Sequence, residues 1–339
     1  MQRVWFNKTF SSVGAAIRLI READWAGDYE IVCSSTNAHA PVFLAAHASA
    51  VEPIGLKGAD YLVWCLDFCL TQRIGIFIPG KEAALISAER ARFEAQGTRV
   101  LCVASQDTLD LLHDKARFYQ SVACSTPPAA FRVVETAQQF DAAWCELKEN
   151  HTKLCIKPSV SVYGLGFAVI DEARSSAQLL LQGVQYHTGL EDLRRGFEAM
   201  ETFRPMLLME YLDGHEFSVD CVGDNGRLVC AVARKKPLQA GQGQLIDPRD
   251  DILKSTRQLT ETYGLNGVFN VQFREGQNGL GLLEINPRMS GGIGMACLAG
   301  PNLPYLALVG FDRGFDDLVV PDIQAGLRVG EISLATKLP

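Results

Sequence analysis

Residues 282–292 read LLEINPRMSGG. An apolar run ends in a carboxylate, an amide, a guanidinium and two glycines, and such polar groups are costly to bury unless something satisfies them. If GLGLLEIN (279–286) is a strand, Glu284 and Asn286 point to one face, where both oxygens can reach one ion. Gln272, in the preceding strand-like run FNVQFR, can face them across a hairpin. One carboxylate and two amide oxygens, too few to fill a coordination shell, suit Mg²⁺ shared with substrate phosphates. Pro287 has no N–H to give and fits the point where pairing stops, and Arg288 leaves the strand able to hold a second anion. The plain alternative is a strand ending in a polar loop with a surface salt bridge, and this stretch alone does not decide between the two.

The rest of the chain limits what that stretch belongs to. At 339 residues the chain exceeds the size at which one hydrophobic core keeps growing, so two or three packed units are expected, and 47% hydrophobic residues can fill them. A net charge of −7 argues against a nucleic-acid or membrane partner, either of which needs a basic face. A small molecule is the expected partner. The opening MQRVWFNKTFSSVG lacks the apolar core of a signal peptide, and no segment reaches the roughly 20 apolar residues of a membrane span, so a cytoplasmic protein is expected. Ten cysteines stand singly in strand-like runs such as EIVCSS and RVLCVA, the pattern of reduced, core-packed thiols. Cys65 and Cys69 lie one helical turn apart, but no second Cys or His pair stands near them in sequence, which disfavours a zinc site.

β-Branched runs alternate with helical patterns from QRVWF to RVLCVA, which predicts a parallel sheet wrapped by helices over residues 1–105. Its first loop, FNKTFSSVG, lacks the G-x-G-x-x-G fingerprint of dinucleotide binding. TLDLLHDKARFYQSV predicts one helix, and the prolines of CSTPPAAF mark a boundary. A small α/β unit follows, from FRVVE through AQQFDAAWCELKEN to KLCIKP and GFAVID. From 206 to 339 the reading changes to paired strands, among them PMLLMEYL, EFSVDCVG, RLVCAVARKK and GVFNVQFRE, with hairpin turns GDNG and GQNG. The fold class is therefore α/β, turning to α+β with an antiparallel sheet in the C-terminal half.

Two further motifs carry chemistry. In KLCIKPSVSVYGLGF a strand delivers Lys157, and Ser159, Ser161, Gly164 and Gly166 let backbone N–H groups approach phosphate oxygens. The lysine precedes the loop and a strand follows it, so this is not a P-loop; alone, the motif reads equally as a solvated lysine beside a turn. In LLMEYLDGHEFSVD an exposed backbone segment could pair with a planar heterocycle, and Glu216 could accept hydrogen bonds from ribose hydroxyls, whereas an ordinary hairpin with a surface acid is the plainer reading. Lys115 reads as a helix-surface lysine, and His113 and His215 as bystanders.

Order gives these signals their weight. DK at 114, IKP at 156, MEYLDGHE at 209, NVQFR at 270 and EINPR at 284 resemble, in sequence and spacing, the motifs of the ATP-grasp superfamily. The resemblance is to the branch of carbamoyl-phosphate synthase large subunits, biotin carboxylase and amino-acid ligases, and it covers nearly the whole chain. It implies an ATP-grasp fold behind an N-terminal Rossmann-like domain, with a small subdomain over 106–205 and a large one over 206–339. It implies that Lys115 and Lys157 hold nucleotide phosphates, that Met209, Glu210, Tyr211 and Leu212 form the adenine hinge, and that Glu216 binds ribose. Gln272, Glu284 and Asn286 become ligands of Mg²⁺, or of Mn²⁺ in its place. Arg288, with Lys157, becomes catalytic. The expected activity is a carboxylate–amine ligase that makes an acyl phosphate and releases ADP, with a bicarbonate-activating carboxylase or a non-catalytic ATP-binding regulator as alternatives. No biotin-attachment sequence follows the core, which favours the compact ligase. Arg234 and Lys235, in RKKP, are expected to add charge beside the γ-phosphate, and residues 7–12, 183–190 and 238–247 to contact the carboxylate and amine. A homodimer is compatible with this reading.

Overall fold

The structure is a computed structural model that describes the chain apart from residues 8–10, 162–163, 240, 333–334 and 339 and the side chain of Ser11. Its residues group into two compact units. One comprises Met1–Asp110, His215–Gln272 and Ile285–Pro339, the other Leu111–Gly214 and Phe273–Glu284.

The first unit opens with the expected parallel sheet. Strands β1 (Gln2–Phe6), β2 (Tyr29–Ser35), β3 (Ala48–Val51), β4 (Ile76–Ile78) and β5 (Arg99–Val100) lie in the order β3-β2-β1-β4-β5. Period-two alternation sends Val4 and Phe6 to one core, with Ile17, Ile20 and Leu308, and Trp5 to the other, with Tyr61, Phe68 and Phe77. Trp5 stacks on Phe77 with centroids 4.1 Å apart and donates its indole N–H to Ser34 Oγ at 2.9 Å, so its one polar atom is satisfied. The strand order reverses between β1 and β4, the position where open α/β sheets leave a crevice. There the buried Asn7 accepts from the backbone N–H groups of Gly80 (2.6 Å) and Lys81 (3.2 Å), tying the loops after β1 and β4. Residues 8–10 of the expected 7–12 contact loop lie outside the described residues, as does 240 of the 238–247 loop.

The second unit holds β6 (Phe131–Val134), β7 (Leu154–Pro158), β8 (Ala168–Asp171), β9 (His187–Gly189) and β10 (Met206–Glu210), in the order β6-β10-β7-β8-β9. The sequence reading put β10 with the C-terminal strands, whereas it runs antiparallel to β6 on one side and β7 on the other. The run MLLM is apolar on both faces because it is a central strand, and Leu208 sits in a core with Phe140, Trp144 and Ile156.

The third sheet contains β11 (Glu216–Asp224), β12 (Arg227–Lys235), β13 (Gln244–Ile246), β14 (Gly267–Gly276), β15 (Gly279–Asn286) and β16 (Arg328–Val329), in the order β15-β14-β11-β12-β13-β16. The two-residue turn between β11 and β12 has Asn225 at φ 46° and Gly226 at φ 95°, the left-handed pair that a tight hairpin requires.

One expected element is divided. TLDLLHDKARFYQSV forms two helices, Gln106–His113 and Lys115–Ser121, because Asp114 leaves the helical region and caps the second one. Its Oδ1 accepts from the N–H groups of Ala116 (3.0 Å) and Arg117 (3.3 Å) and from the hydroxyl of Ser159. Asp114→Ala should cost about 1 kcal/mol of stability, the usual value of such a cap, read as a lower urea midpoint at unchanged slope.

All ten cysteines are free thiols, seven of them buried. Cys65 and Cys69 lie in the helix Gly58–Thr71, where burial pushes the Cys69 thiol up to about 12 and raises Cys65 as well, so both behave as core thiols. Among the described residues, no group of three or more His, Cys, Asp or Glu is arranged to hold a metal ion, and no helix is long and apolar enough to cross a membrane.

Candidate active site

Lys157, near the end of β7, is paired in register with Leu207 of β10. Its ammonium donates to the hydroxyl of the buried Tyr119 at 2.9 Å. That hydroxyl, already accepting, donates onward to the carbonyl of Leu283 at 2.5 Å. The bonds form a directed chain from lysine through phenol to the backbone of β15. Burial raises the Tyr119 pKa against the pull of Lys157, so the phenol keeps the proton it donates. Burial also works against the Lys157 charge, but the Tyr119 oxygen and Glu284 more than offset it, and the lysine titrates above its ordinary value.

Lys115 occupies the first position of the capped helix, not the middle of a solvent face. Its Nζ donates to the Ser161 carbonyl at 3.1 Å and lies 3.7 Å from Glu284 Oε2. Burial lowers its pKa, and repulsion from Lys157 adds to the effect while Glu284 opposes it. Backbone bonds fasten the two lysines to one frame: Lys115 N–H donates to Ser159 O at 3.0 Å and Ala116 N–H to Ser159 Oγ at 3.3 Å, two residues beyond Lys157. The second unit therefore brings Lys115, Lys157 and Glu284 into one charged cluster. Tyr119 was not foreseen in the sequence. Its signal is its place one helical turn after Lys115, on the same face.

The hinge segment lies in the same unit. Met209 and Leu212 are buried, and Met209 and Glu210 pair with Cys155 and Leu154 of β7. The N–H groups of Glu210 and Tyr211 already bond to the carbonyls of Ala130 (2.9 Å) and Lys153 (3.0 Å), which removes two donors from any pairing with a heterocycle. Glu210 Oε1 lies 3.4 Å from His151 Nδ1. Tyr211 has Phe167 at 6.4 Å and the Arg274 guanidinium at 5.4 Å from its ring centroid, an aromatic and cationic wall.

Glu216, Gln272, Asn286, Arg288, Arg234 and Lys235 belong to the first unit. Glu216 pairs with the ammonium of Lys236. Gln272 donates its amide nitrogen to Asn270 Oδ1 at 3.2 Å, which makes its oxygen the atom to offer an ion. Asn286 shares β15 with Glu284 at a spacing of two, on one face. Arg288 follows a tight turn in which its N–H bonds Asn286 O at 2.7 Å, and its guanidinium reaches Met289 O at 3.2 Å. Of the two histidines beside the motifs, His113 lies in the second unit and is exposed, and His215 Nδ1 lies 2.8 Å from Lys236 O. Arg234 departs from expectation. It is 1% exposed, with its guanidinium enclosed by Asp220, Ser218, Ser290 and Gln244, so it does not stand as an open cation for phosphate. Lys235 leans over the Phe217 ring at 5.6 Å.

Residues 202–335 match the model of a family described as ATP-grasp in the biosynthetic pathway with Ter operon. The chain is 25% identical over 251 residues to the carbamoyl phosphate synthase large chain of Neisseria meningitidis serogroup B, covering 65% of this chain and 21% of that protein. It spans about a fifth of the length of the curated relatives it matches. Among solved structures it resembles N5-carboxyaminoimidazole synthetase from Staphylococcus aureus complexed with ADP (TM-score 0.65, 13% identity, 95% of this chain and 80% of that one). It also resembles the L-amino acid ligase from Bacillus licheniformis (TM-score 0.60, 13% identity, 91% and 74%). The parallel sheet and the two further sheets agree with the resemblance seen in the motifs: residues 202–335 match an ATP-grasp family model, and the chain shares the fold of these solved structures, with a Rossmann-like sheet in its N-terminal part.

Proposed function

We propose that the chain is an ATP-dependent ligase that activates a carboxylate as an acyl phosphate, joins it to an amine and releases ADP and phosphate. The observation that carries this reading is the cluster of Lys115, Lys157 and Glu284, two fixed cations beside one carboxylate. Such an arrangement suits charge that develops on a transferring phosphoryl group. The similarity to a synthetase complexed with ADP and to an amino acid ligase supports it.

The residues divide the work. Lys115 and Lys157 neutralise nucleotide phosphates, with Tyr119 fixing the direction of the Lys157 ammonium. Tyr211 and its neighbours receive the base, and Glu216 the ribose, after it exchanges its bond to Lys236. Arg288 holds the substrate carboxylate and then the tetrahedral intermediate formed by the attacking amine, a task for which its planar fork suits better than an ammonium. Gln272, Glu284 and Asn286 offer one carboxylate and two amide oxygens, hard donors that fit Mg²⁺, or Mn²⁺ in its place. The ion supplies electrostatic neutralisation of the phosphates when bound. The partners are small molecules, a carboxylate and an amine of amino-acid or peptide-like character.

Product analysis tests the mechanism. ADP and phosphate are expected when ATP, Mg²⁺ and a panel of amino acids are supplied, and AMP with pyrophosphate would exclude the acyl phosphate. A second reading, activation of bicarbonate, draws on the likeness to a synthetase whose name denotes a carboxyamino product. Phosphate release that depends on bicarbonate would select it.

A further inference from the structure

Polar side chains are buried together on the sheet of β11, β12 and β14. Arg234 reaches Asp220 Oδ2 through Nε (3.0 Å) and Nη2 (2.8 Å). Its Nη2 also reaches Ser218 Oγ (3.1 Å) and Ser290 Oγ (2.9 Å), and its Nη1 reaches Gln244. The other oxygen of Asp220 accepts from Asn270 Nδ2 at 3.1 Å, and that nitrogen also reaches Ser218 Oγ and the Val219 carbonyl, both at 3.0 Å. Asp220 and Asn270 are 0% exposed, Arg234 and Ser218 1%.

A buried charge pair is a poor source of stability, since removing two ions from water offsets most of their attraction, and apolar residues of similar volume do as well. What distinguishes this pair is where its two arms end. Through Asn270 Oδ1 it holds the amide nitrogen of Gln272 at 3.2 Å, which turns the amide oxygen the other way. Through Ser290 Oγ, which accepts from Gly292 N–H at 3.1 Å, it holds the turn that follows Arg288. That turn lies so close that a Cβ on Gly292 would stand 2.4 Å from Arg234 Nη1, so glycine is required there by contact and not by dihedral angle.

We propose that the Arg234–Asp220 pair is a positioning element with two arms, one orienting the Gln272 amide and one holding the turn of residues 288–292. It rests on the reading of Gln272 as a metal ligand and Arg288 as the carboxylate clamp. Arg234 touches neither nucleotide nor substrate; it acts through Asn270 and Ser290.

Asn270→Ala and Ser290→Ala in the full chain each cut one arm and leave the charge pair in place. Binding of Mn²⁺ in the presence of ADP, followed by electron paramagnetic resonance, should weaken at least about tenfold in Asn270→Ala, as for other groups that orient a ligand, and stay at the wild-type value in Ser290→Ala. The KM for the carboxylate should rise at least about threefold in Ser290→Ala, the worth of one hydrogen bond, and hold in Asn270→Ala. Changes confined to melting temperature, or both readouts moving together in both variants, would overturn the proposal. If the wild-type chain turns over no carboxylate, the ligase reading fails by itself, and the Mn²⁺ measurement still decides: equal affinity in Asn270→Ala and wild type overturns the positioning role. A wild-type chain that binds no Mn²⁺ with ADP overturns both.

Discussion

Glu284→Gln is expected to lower ATP turnover by at least about a hundredfold while the fold survives, in line with the loss of a main electrostatic contributor. Glutamine keeps the shape and one ligating oxygen but removes the only full negative charge among the three oxygen donors. Glu284 is also the carboxylate 3.7 Å from Lys115, so its neutralisation removes the group that opposes the burial of that ammonium. Two losses then coincide, weaker hold on the ion and a less favourable lysine charge. Phosphate release titrated against Mg²⁺ checks the prediction, with near-UV circular dichroism as control for folding. Activity near wild type at limiting Mg²⁺ would remove Glu284 from the metal.

Arg288→Lys and Lys157→Ala should fail in opposite ways. Arg288→Lys keeps the charge but loses the bidentate fork, so affinity for a non-hydrolysable ATP analogue should hold while product formation collapses, mainly in kcat, by about a hundredfold or more. Lys157→Ala removes a phosphate contact and leaves the Tyr119 hydroxyl without its donor, so analogue binding should weaken by about tenfold, the worth of one charge-assisted hydrogen bond. Calorimetry on both variants beside a product assay separates the roles. Equal weakening of analogue binding would make Arg288 a phosphate ligand and end its assignment to the carboxylate.

Much of the fold was legible because alternation and periodicity record it directly. The strand of Val4, Trp5 and Phe6 feeds two cores by turns, and GDNG carries the left-handed pair that its hairpin needs. Where the reading departed, a tertiary cause can be named. A central strand such as β10 and a C-terminal hairpin strand share one apolar pattern, and only the register with β6 and β7 distinguishes them. TLDLLHDKARFYQSV read as one helix, because a cap inside a periodic run, here Asp114, is visible only once the backbone leaves the helix there. The same limit applies to the candidate site. Lys157 stood out as a charge beside a small-residue loop and Lys115 only through the order of the motifs, whereas the bond that gives Tyr119 its role spans the 38 residues to Lys157. Arg234 read as an open cation because the sequence gives its charge and not the carboxylate, hydroxyls and amide that enclose it.

The stitching of Lys115 and Lys157 to the Ser159 turn has an energetic meaning. Two like charges repel, and drawing them together from flexible chain would ordinarily subtract from the affinity of whatever anion they receive. Here the backbone bonds at Ser159 and the cap at Asp114 gather them while the chain folds, so the repulsion is met once, out of folding free energy. An arriving anion then gains from relieving a repulsion already in place and gives up little side-chain freedom in return. The protein holds a small electrostatic tension at rest, which a phosphate bound as proposed would discharge.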